Sequence, residues 1–179
     1  MSTRETVRGL FLCDTSSFRT DARSFLDANG LDASRVDRAD DDLDALVEEV
    51  DTESLSAYER DLCRRVWVLD AAPLGITLAG PAYQDNPVVY VNRTFRELTG
   101  YSLDAVRGGN LRLLQGPDTE SDAVDTLREA LEIWEPVTVE LWNYRADGTR
   151  FRNCVTLEPL SDDTGTISNW VGLQARVDG

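Results

Sequence analysis

The side chains best suited to binding a polar ligand lie in a short stretch bounded by glycines, residues 108–116, which reads GGNLRLLQG. Two amides, Asn110 and Gln115, flank one guanidinium, Arg112. An amide supplies a hydrogen-bond donor and an acceptor from one side chain and is neutral at any pH, so it suits a ligand whose edge alternates donors and acceptors. The stretch contains no nucleophile, and the chemistry it indicates is therefore recognition.

Three further amides, Asn143, Asn153 and Gln174, fall on predicted strands. Buried without a partner, each would cost about 1–3 kcal/mol, so several amides on one face of a sheet imply a polar ligand or a polar network. Amides scattered over a strand surface are the alternative, and that alternative is favoured for Asn143 or Asn153 taken singly. Considered together with residues 108–116, the set favours a ligand.

The composition excludes several classes of site. The chain has no histidine, which removes histidine-ligated haem, the usual zinc ligand sets and any Ser-His or Cys-His catalytic pair. Its three cysteines, Cys13, Cys63 and Cys154, are an odd number at no metal-ligand spacing, so neither a disulfide framework nor a metal site is predicted. The absence of a long apolar run and of a signal-peptide core predicts a soluble, cytoplasmic protein.

The net charge is −15, and the basic residues are of one type. All 18 of them are arginine, and the chain contains no lysine. Such a surface repels nucleic acid and anionic membranes, so neither is a predicted partner. High acidity without lysine is typical of cytosolic halophilic proteins, in which a carboxylate-rich surface stays hydrated in molar salt. The alternative is an ordinary acidic protein, which leaves the missing lysines unexplained.

The second half of the chain predicts an α+β fold. Segments rich in β-branched and aromatic residues alternate there with turns rich in glycine and aspartate. Their order of two strands, several helices and three strands predicts a five-stranded antiparallel sheet with helices on one face. The predicted strands are residues 75–79, 88–91, 137–145, 150–159 and 168–177, and the predicted helices are residues 93–99, 103–106 and 118–134.

The first 52 residues are interpreted as a small packed appendage of unclear fold. Residues 9–13, GLFLC, predict a buried strand, and residues 18–28 predict a helix closed by Asn29 and Gly30. This order is faintly similar to the start of a receiver domain, but the segment is too short to complete one. Acidic residues at positions 40–42 and 44 are interpreted as a helix N-terminus and not as a cation site.

Residues 53–70 predict a flanking helix that begins after Ser54 or Ser56 and carries one apolar stripe. Such a stripe needs a partner surface, which is either the protein's own sheet or a second copy of the chain in a homodimer. The sequence Ala71-Ala72-Pro73 ends this helix because a residue before proline disfavours the helical conformation. The main domain is therefore predicted over residues 71–179.

Residues 108–116 resemble the flavin-binding signature of LOV photosensor domains, a branch of the PAS family, which reads Asn-Cys-Arg-Phe-Leu-Gln-Gly. Residues 85–101 are similar to the general PAS pattern, and the resemblance continues to residue 177 without a gap. The family's cysteine bonds covalently to the light-excited flavin, and Leu111 stands at its position. The resemblance therefore implies a PAS/LOV fold with a flavin site that lacks the adduct-forming thiol.

The resemblance also assigns roles to the polar residues. Gln115, Asn143, Asn153 and Gln174 match the four amides that face the flavin in the family. Arginines corresponding to Arg112 and Arg128 contact its phosphate. The family accommodates the adenine half of FAD with an insertion that is absent between residues 116 and 128, so FMN is the expected cofactor and FAD is the alternative. The implied cofactor-binding residues are Asn110, Leu111, Arg112, Gln115, Arg128, Asn143, Asn153 and Gln174.

Without a thiol at position 111, the resemblance implies signalling by one-electron photoreduction to the neutral semiquinone, with Gln174 turning its amide in response. Possible electron donors are Trp134, Trp142, Tyr144 and Trp170. The output would be a change in the helix of residues 53–70, in oligomeric state or in binding to an unknown downstream protein. The alternatives are a PAS association module with a structural flavin or no flavin, and a flavoenzyme, which is disfavoured because no general base is evident.

Overall fold

The computed structural model describes residues 1–39 and 52–178, and the predicted helix start at positions 40–44 lies outside these ranges. Five strands form one antiparallel sheet in the order β2-β1-β5-β4-β3. This arrangement confirms the predicted α+β fold and, within one or two residues at most boundaries, the predicted strands. The strands are β1 (Gly75–Ala79), β2 (Val88–Val91), β3 (Val137–Tyr144), β4 (Arg150–Ser161) and β5 (Ile167–Arg176).

Helices precede the sheet and connect β2 to β3. In the described residues, no helix is both long enough and apolar enough to cross a bilayer. Short 3-10 turns cover Thr52–Ser54, Ala82–Gln84 and Leu111–Leu114. The α-helices are α1 (Thr3–Leu12), α2 (Thr15–Ala28), α3 (Arg35–Arg38), α4 (Ala57–Val68), α5 (Arg93–Thr99), α6 (Leu103–Val106) and α7 (Ser121–Ile133).

The prediction of a strand at residues 9–13 is wrong, because these residues form the last turns of α1. Ser2 and Glu5 form a capping box at the start of this helix, and each accepts the other's backbone N–H. Val7, Leu10 and Phe11 are buried at helical spacing. A short apolar run does not distinguish a strand from a buried helical turn. Here the capping box begins a helix that continues through the run.

Helix α1 lies on the central strands of the sheet. Arg4 donates to the backbone carbonyls of Leu173 (2.9 Å) and Cys154 (3.2 Å) and to the Thr156 hydroxyl (2.9 Å). Arg8 pairs with the buried Glu158 at 2.5 Å. Successive side chains of a strand point to opposite faces, so α1 covers the face opposite to Asn153 and Gln174.

Helix α4 begins after Ser56, which forms a capping box with Glu59, so Ser56 and not Ser54 is the cap. The helix contacts β1 and β2, so its apolar stripe faces the protein's own sheet, the first of the two alternatives given above. Its buried Arg65 pairs with Asp61 at 2.9 Å and donates to two carbonyls at the end of α1, those of Leu10 and Cys13. Arg65 therefore joins α4 to α1.

Replacement of Arg65 by alanine is expected to lower the free energy of unfolding by about 3 kcal/mol, because it leaves a carboxylate and two carbonyls without their buried donor. Urea denaturation followed by circular dichroism measures this change. The partly exposed Arg60 on the same helix is the matched control, and Arg60→Ala should cost less than about 1 kcal/mol. Equal losses of unfolding free energy in the two variants would mean that the contacts of Arg65 between α4 and α1 do not stabilise the protein.

Candidate functional site

A cavity of about 430 Å³ lies between the sheet, the stretch of residues 108–116 and helix α7. Seven of the eight predicted site residues line it: Asn110, Leu111, Arg112, Gln115, Arg128, Asn143 and Gln174. The remaining residue, Asn153, is fully buried and hydrogen-bonds to two of the lining amides. The rest of the lining is mainly apolar and includes Thr77, Ala79, Val124, Leu127, Leu131, Leu141, Val155, Leu157, Trp170 and Gly172.

The register of the sheet brings three amides together at one place. Asn153 donates from its Nδ2 to Asn143 Oδ1 (2.9 Å) and to Gln174 Oε1 (3.0 Å). Asn143 in turn donates to the carbonyl of Leu114, which connects the network to the motif (3.3 Å). All three side chains are at least 95 % buried, and among the described residues Asn153 Oδ1 has no hydrogen-bond partner. Asn153 does not itself line the cavity, but the two amides that it bonds do, so the network presents the polar groups of Asn143 and Gln174 to a ligand.

Asn110 shapes the motif as well as lining the cavity. Its Oδ1 accepts the backbone N–H of Arg112 at 2.8 Å and thereby caps the 3-10 turn Leu111–Leu114. Its Nδ2 donates to the carbonyl of Asp85 at 2.8 Å. This pair of bonds attaches the turn to the loop before β2 and presents Leu111 and Gln115 to the cavity.

Helix α7 forms the apolar wall of the cavity. Val124, Leu127 and Leu131 follow one helical face and all three line the cavity, while Ala130 is the helix's single buried residue. A helix with so clear an apolar stripe normally packs that stripe against protein. Here the stripe faces open space, so a ligand with an apolar surface fits between α7 and the sheet.

Glycine is required at two positions around the cavity. A side chain at Gly172 on β5 would place its Cβ 2.5 Å from Thr77 Oγ1, where both residues line the cavity. A side chain at Gly116, which ends the motif, would collide with the ring of Tyr144. Glycine lets the backbone approach these neighbours closely, and at Gly172 it also leaves the cavity wall free of a side chain.

The two arginines predicted to bind phosphate are exposed and lie at the cavity with carboxylate partners. Arg112 pairs with Asp85, and Arg128 pairs with Asp125 at 3.0 Å. Exposed ion pairs of this kind are weak, so an anion can exchange with either carboxylate at small cost. Arg112 and Arg128 therefore offer two guanidinium groups to a charged ligand tail.

The described residues that line the cavity include no cysteine. Cys154 follows Asn153 on β4 and therefore points to the opposite face of the sheet. Cys63 is fully buried in α4, and burial raises the pKa of its thiol to about 12. Burial also raises the pKa of the Cys13 thiol, in the outer helical layer.

The raised pKa of Cys63 leads to a direct prediction. Full burial keeps a reagent away from the sulfur and disfavours the reactive thiolate, so an alkylating reagent at neutral pH should label Cys63 only after the protein unfolds. Mass spectrometry of native and urea-unfolded samples measures the labelling. A Cys63→Ser control should show the same number of labels as the wild type when native and one fewer when unfolded, and rapid native labelling of Cys63 would contradict the prediction.

Comparison with known proteins identifies the domain. A family model described as a PAS domain matches residues 73–174. The chain belongs to the PAS family. The LOV domain from the Erythrobacter litoralis blue-light activated histidine kinase has 39% sequence identity and a TM-score of 0.57, with 60% of this chain and 98% of that chain covered. The light-state structure of the blue-light photoreceptor Aureochrome1 LOV has 43% identity and a TM-score of 0.57, covering 63% and 88%.

Curated relatives of this PAS domain agree with the structures. Blue-light-activated histidine kinase 2 of Erythrobacter litoralis is 41% identical over 102 residues, which are 57% of this chain and 30% of that protein. The bacterioopsin transcriptional activator of Halobacterium salinarum is 43% identical over 109 residues, 61% of this chain and 16% of that protein. The chain thus spans under a third of either relative, and the predicted resemblance to LOV domains is confirmed.

Proposed function

We propose that this PAS domain binds a flavin in the cavity and senses blue light or cellular redox state through one-electron photoreduction of that flavin, without a covalent bond to a thiol. The observation that carries the proposal is the buried amide network, whose members Asn143 and Gln174 line a cavity with one polar and one apolar wall. The blue-light photoreceptor Aureochrome1 LOV has the same fold, and blue-light-activated histidine kinase 2 is similar in sequence.

The residues present fit a flavin. The amides Asn143, Asn153 and Gln115 would hold the polar edge of the ring system, because such an edge alternates donors and acceptors. The stripe of α7 and the facing strand residues would cover the ring faces and exclude water. Arg112 and Arg128 would hold the phosphate, which makes FMN the expected cofactor and FAD with its adenosine outside the cavity the alternative.

A bound flavin supplies a light-excitable one-electron acceptor. Leu111 lines the cavity, and the resemblance to the LOV signature implies that it stands in place of that family's thiol. An alkyl side chain forms no adduct. The reaction is thereby limited to transfer of an electron and a proton. In this account the domain binds and signals, and it has no substrate of its own.

The amide network couples Gln174 to its neighbours. Gln174 Oε1 accepts from Asn153, so a turned Gln174 amide would bring its NH₂ against the Asn153 NH₂. Asn153 would then have to turn as well, which breaks its bond to Asn143. A turn of Gln174 would thus change the hydrogen bonding of all three amides together, and protonation of the ligand beside Gln174 would favour the turned arrangement.

The output would pass through the sheet to the N-terminal helices. Arg4 of α1 holds the carbonyls of Leu173 and Cys154, which are the direct chain neighbours of Gln174 and Asn153. A shift of these strands would loosen α1 and, through Arg65, also α4. Once loosened, α1 and α4 would change the oligomeric state of the protein or bind a downstream protein.

Titration of flavin-free protein with FMN tests the proposal. Binding should quench FMN fluorescence, and blue light with a thiol reductant should then change the elution volume of the loaded protein on size exclusion. Protein that takes up neither FMN nor FAD would contradict the proposal and favour an association module. Binding and photoreduction with identical elution before and after light would reject the output step alone.

A further inference from the structure

The described residues that line the cavity contain one side chain that is readily oxidised, Trp170 on β5. The lining has no other tryptophan and no tyrosine, methionine or cysteine. Trp170 is 2 % exposed, and its indole N–H finds no hydrogen-bond partner among the described residues, although buried indoles usually have one. A ligand that fills the cavity therefore lies against this ring.

The other aromatic residues that could supply an electron are placed less favourably. Trp142 points to the opposite face of the sheet and stacks under the guanidinium of Arg150 at 4.3 Å. Trp67 in α4 stacks with Arg35 at 3.8 Å. A guanidinium over an indole disfavours a positive charge on that ring. Trp134 is 62 % exposed at the end of α7, outside the cavity lining.

Tyr144 is also outside the cavity lining. Its hydroxyl donates to Asp118 at 3.0 Å, and its ring lies against Gly116 at the end of the motif. Of the four candidate donors named from the sequence, Trp134, Trp142, Tyr144 and Trp170, only the last lines the cavity in the described chain.

We propose that Trp170 is the immediate electron donor to the light-excited flavin, an inference that rests on the proposed function. The indole of Trp170 loses one electron and becomes a radical cation, and the flavin is reduced by that electron. The described residues offer no hydrogen-bonded base to the Trp170 N–H, so its proton stays on the ring. The positive charge then remains on the indole until an electron returns.

A low-molecular-weight thiol is the co-reactant that completes the step. It returns one electron to Trp170 and releases one proton to solvent, and two oxidised thiols join as one disulfide. The flavin takes up one proton from solvent, so each thiol has supplied one electron and one proton, and Trp170 is unchanged. Without the thiol, the electron returns to Trp170 and the light energy is lost. Trp170 should therefore also quench the fluorescence of the bound flavin.

Transient absorption of the FMN-loaded protein tests this assignment. Wild type should show an oxidised-indole transient, and Trp170→Phe should lose it, fluoresce more brightly and photoreduce more slowly in the presence of thiol. Trp142→Phe is the matched control and should behave as wild type. Unchanged fluorescence, transient and photoreduction in Trp170→Phe would overturn the proposal.

A second variant keeps the test valid if Trp170→Phe does not fold. A protein in which Trp67, Trp134 and Trp142 are all replaced by phenylalanine retains Trp170 alone and should keep the indole transient. Loss of the transient in this triple variant, or its absence from wild type, overturns the assignment. Failure of the wild type to bind FMN is a different outcome, because it would contradict the proposed function and not only the assignment of Trp170.

Discussion

Replacement of Leu111 by cysteine is expected to give the protein a thiol–flavin light reaction. Leu111 lines the cavity, Asn110 caps the turn that presents it, and the resemblance to the LOV signature implies that it stands at the position of that family's thiol. A thiol placed there can add to the excited flavin, with sulfur bonded to a ring carbon and the thiol proton transferred to the adjacent ring nitrogen. Both electrons of the new bond come from the S–H pair, so no external reductant is needed.

The reaction of Leu111→Cys is measured by absorption spectroscopy without added reductant. Blue light should bleach the visible flavin band, produce a near-ultraviolet absorbing species and be reversed in the dark. Leu111→Ser is the control, since it changes polarity without supplying a sulfur nucleophile, and it should show no such species. A flavin-loaded Leu111→Cys protein that stays photochemically silent would contradict the placement of Leu111 beside the reactive part of the flavin.

Replacement of Asn153 by leucine is expected to abolish most flavin binding. Leucine removes the donor that holds Asn143 Oδ1 and Gln174 Oε1 in place at the cavity wall. The freed amides no longer keep the orientation that a flavin needs, and a loss of about 2 kcal/mol of hydrogen bonding to the ligand weakens affinity by about 30-fold. The unpaired acceptors themselves lower the stability of free and loaded protein alike. Fluorescence titration with FMN measures the change in affinity directly.

Asn169 is the matched control for Asn153, because it is also a fully buried amide in the same sheet. Its Nδ2 donates to the carbonyl of Ala79 and to Glu59, and it does not line the cavity. Asn169→Leu should lower the free energy of unfolding while FMN affinity per folded molecule stays close to that of wild type. Equal losses of affinity in both variants would mean that Asn153 acts through stability alone.

The sheet could be predicted from the sequence because its strands are rich in β-branched and aromatic residues and are separated by clear turns. The boundaries of β1 and β2 agree with the prediction, and β4 extends two residues farther than predicted. The amides were predicted as a set from the resemblance to the LOV signature. Their bonding could not be predicted, because the contact between Asn153 and Gln174 depends on the register of β4 and β5.

The N-terminal region was predicted less well for a physical reason. An apolar run of five residues suits a strand or a buried helical turn equally, and the capping box of Ser2 and Glu5 lies outside that run. The apolar wall of the cavity was also missed. Its signal was present in the three-to-four-residue spacing of Val124, Leu127 and Leu131, but the sequence does not reveal that this stripe faces a cavity.

The central claim, a flavin sensor that works by photoreduction without a thiol adduct, is tested most directly by the absorption spectrum of FMN-loaded wild-type protein before and after blue illumination. With a thiol reductant and without oxygen, the visible flavin band should convert to that of the one-electron-reduced form, and air should restore it. Without reductant the spectrum should not change. A near-ultraviolet species that forms without reductant and decays in the dark would contradict the claim, as would a flavin that light cannot reduce.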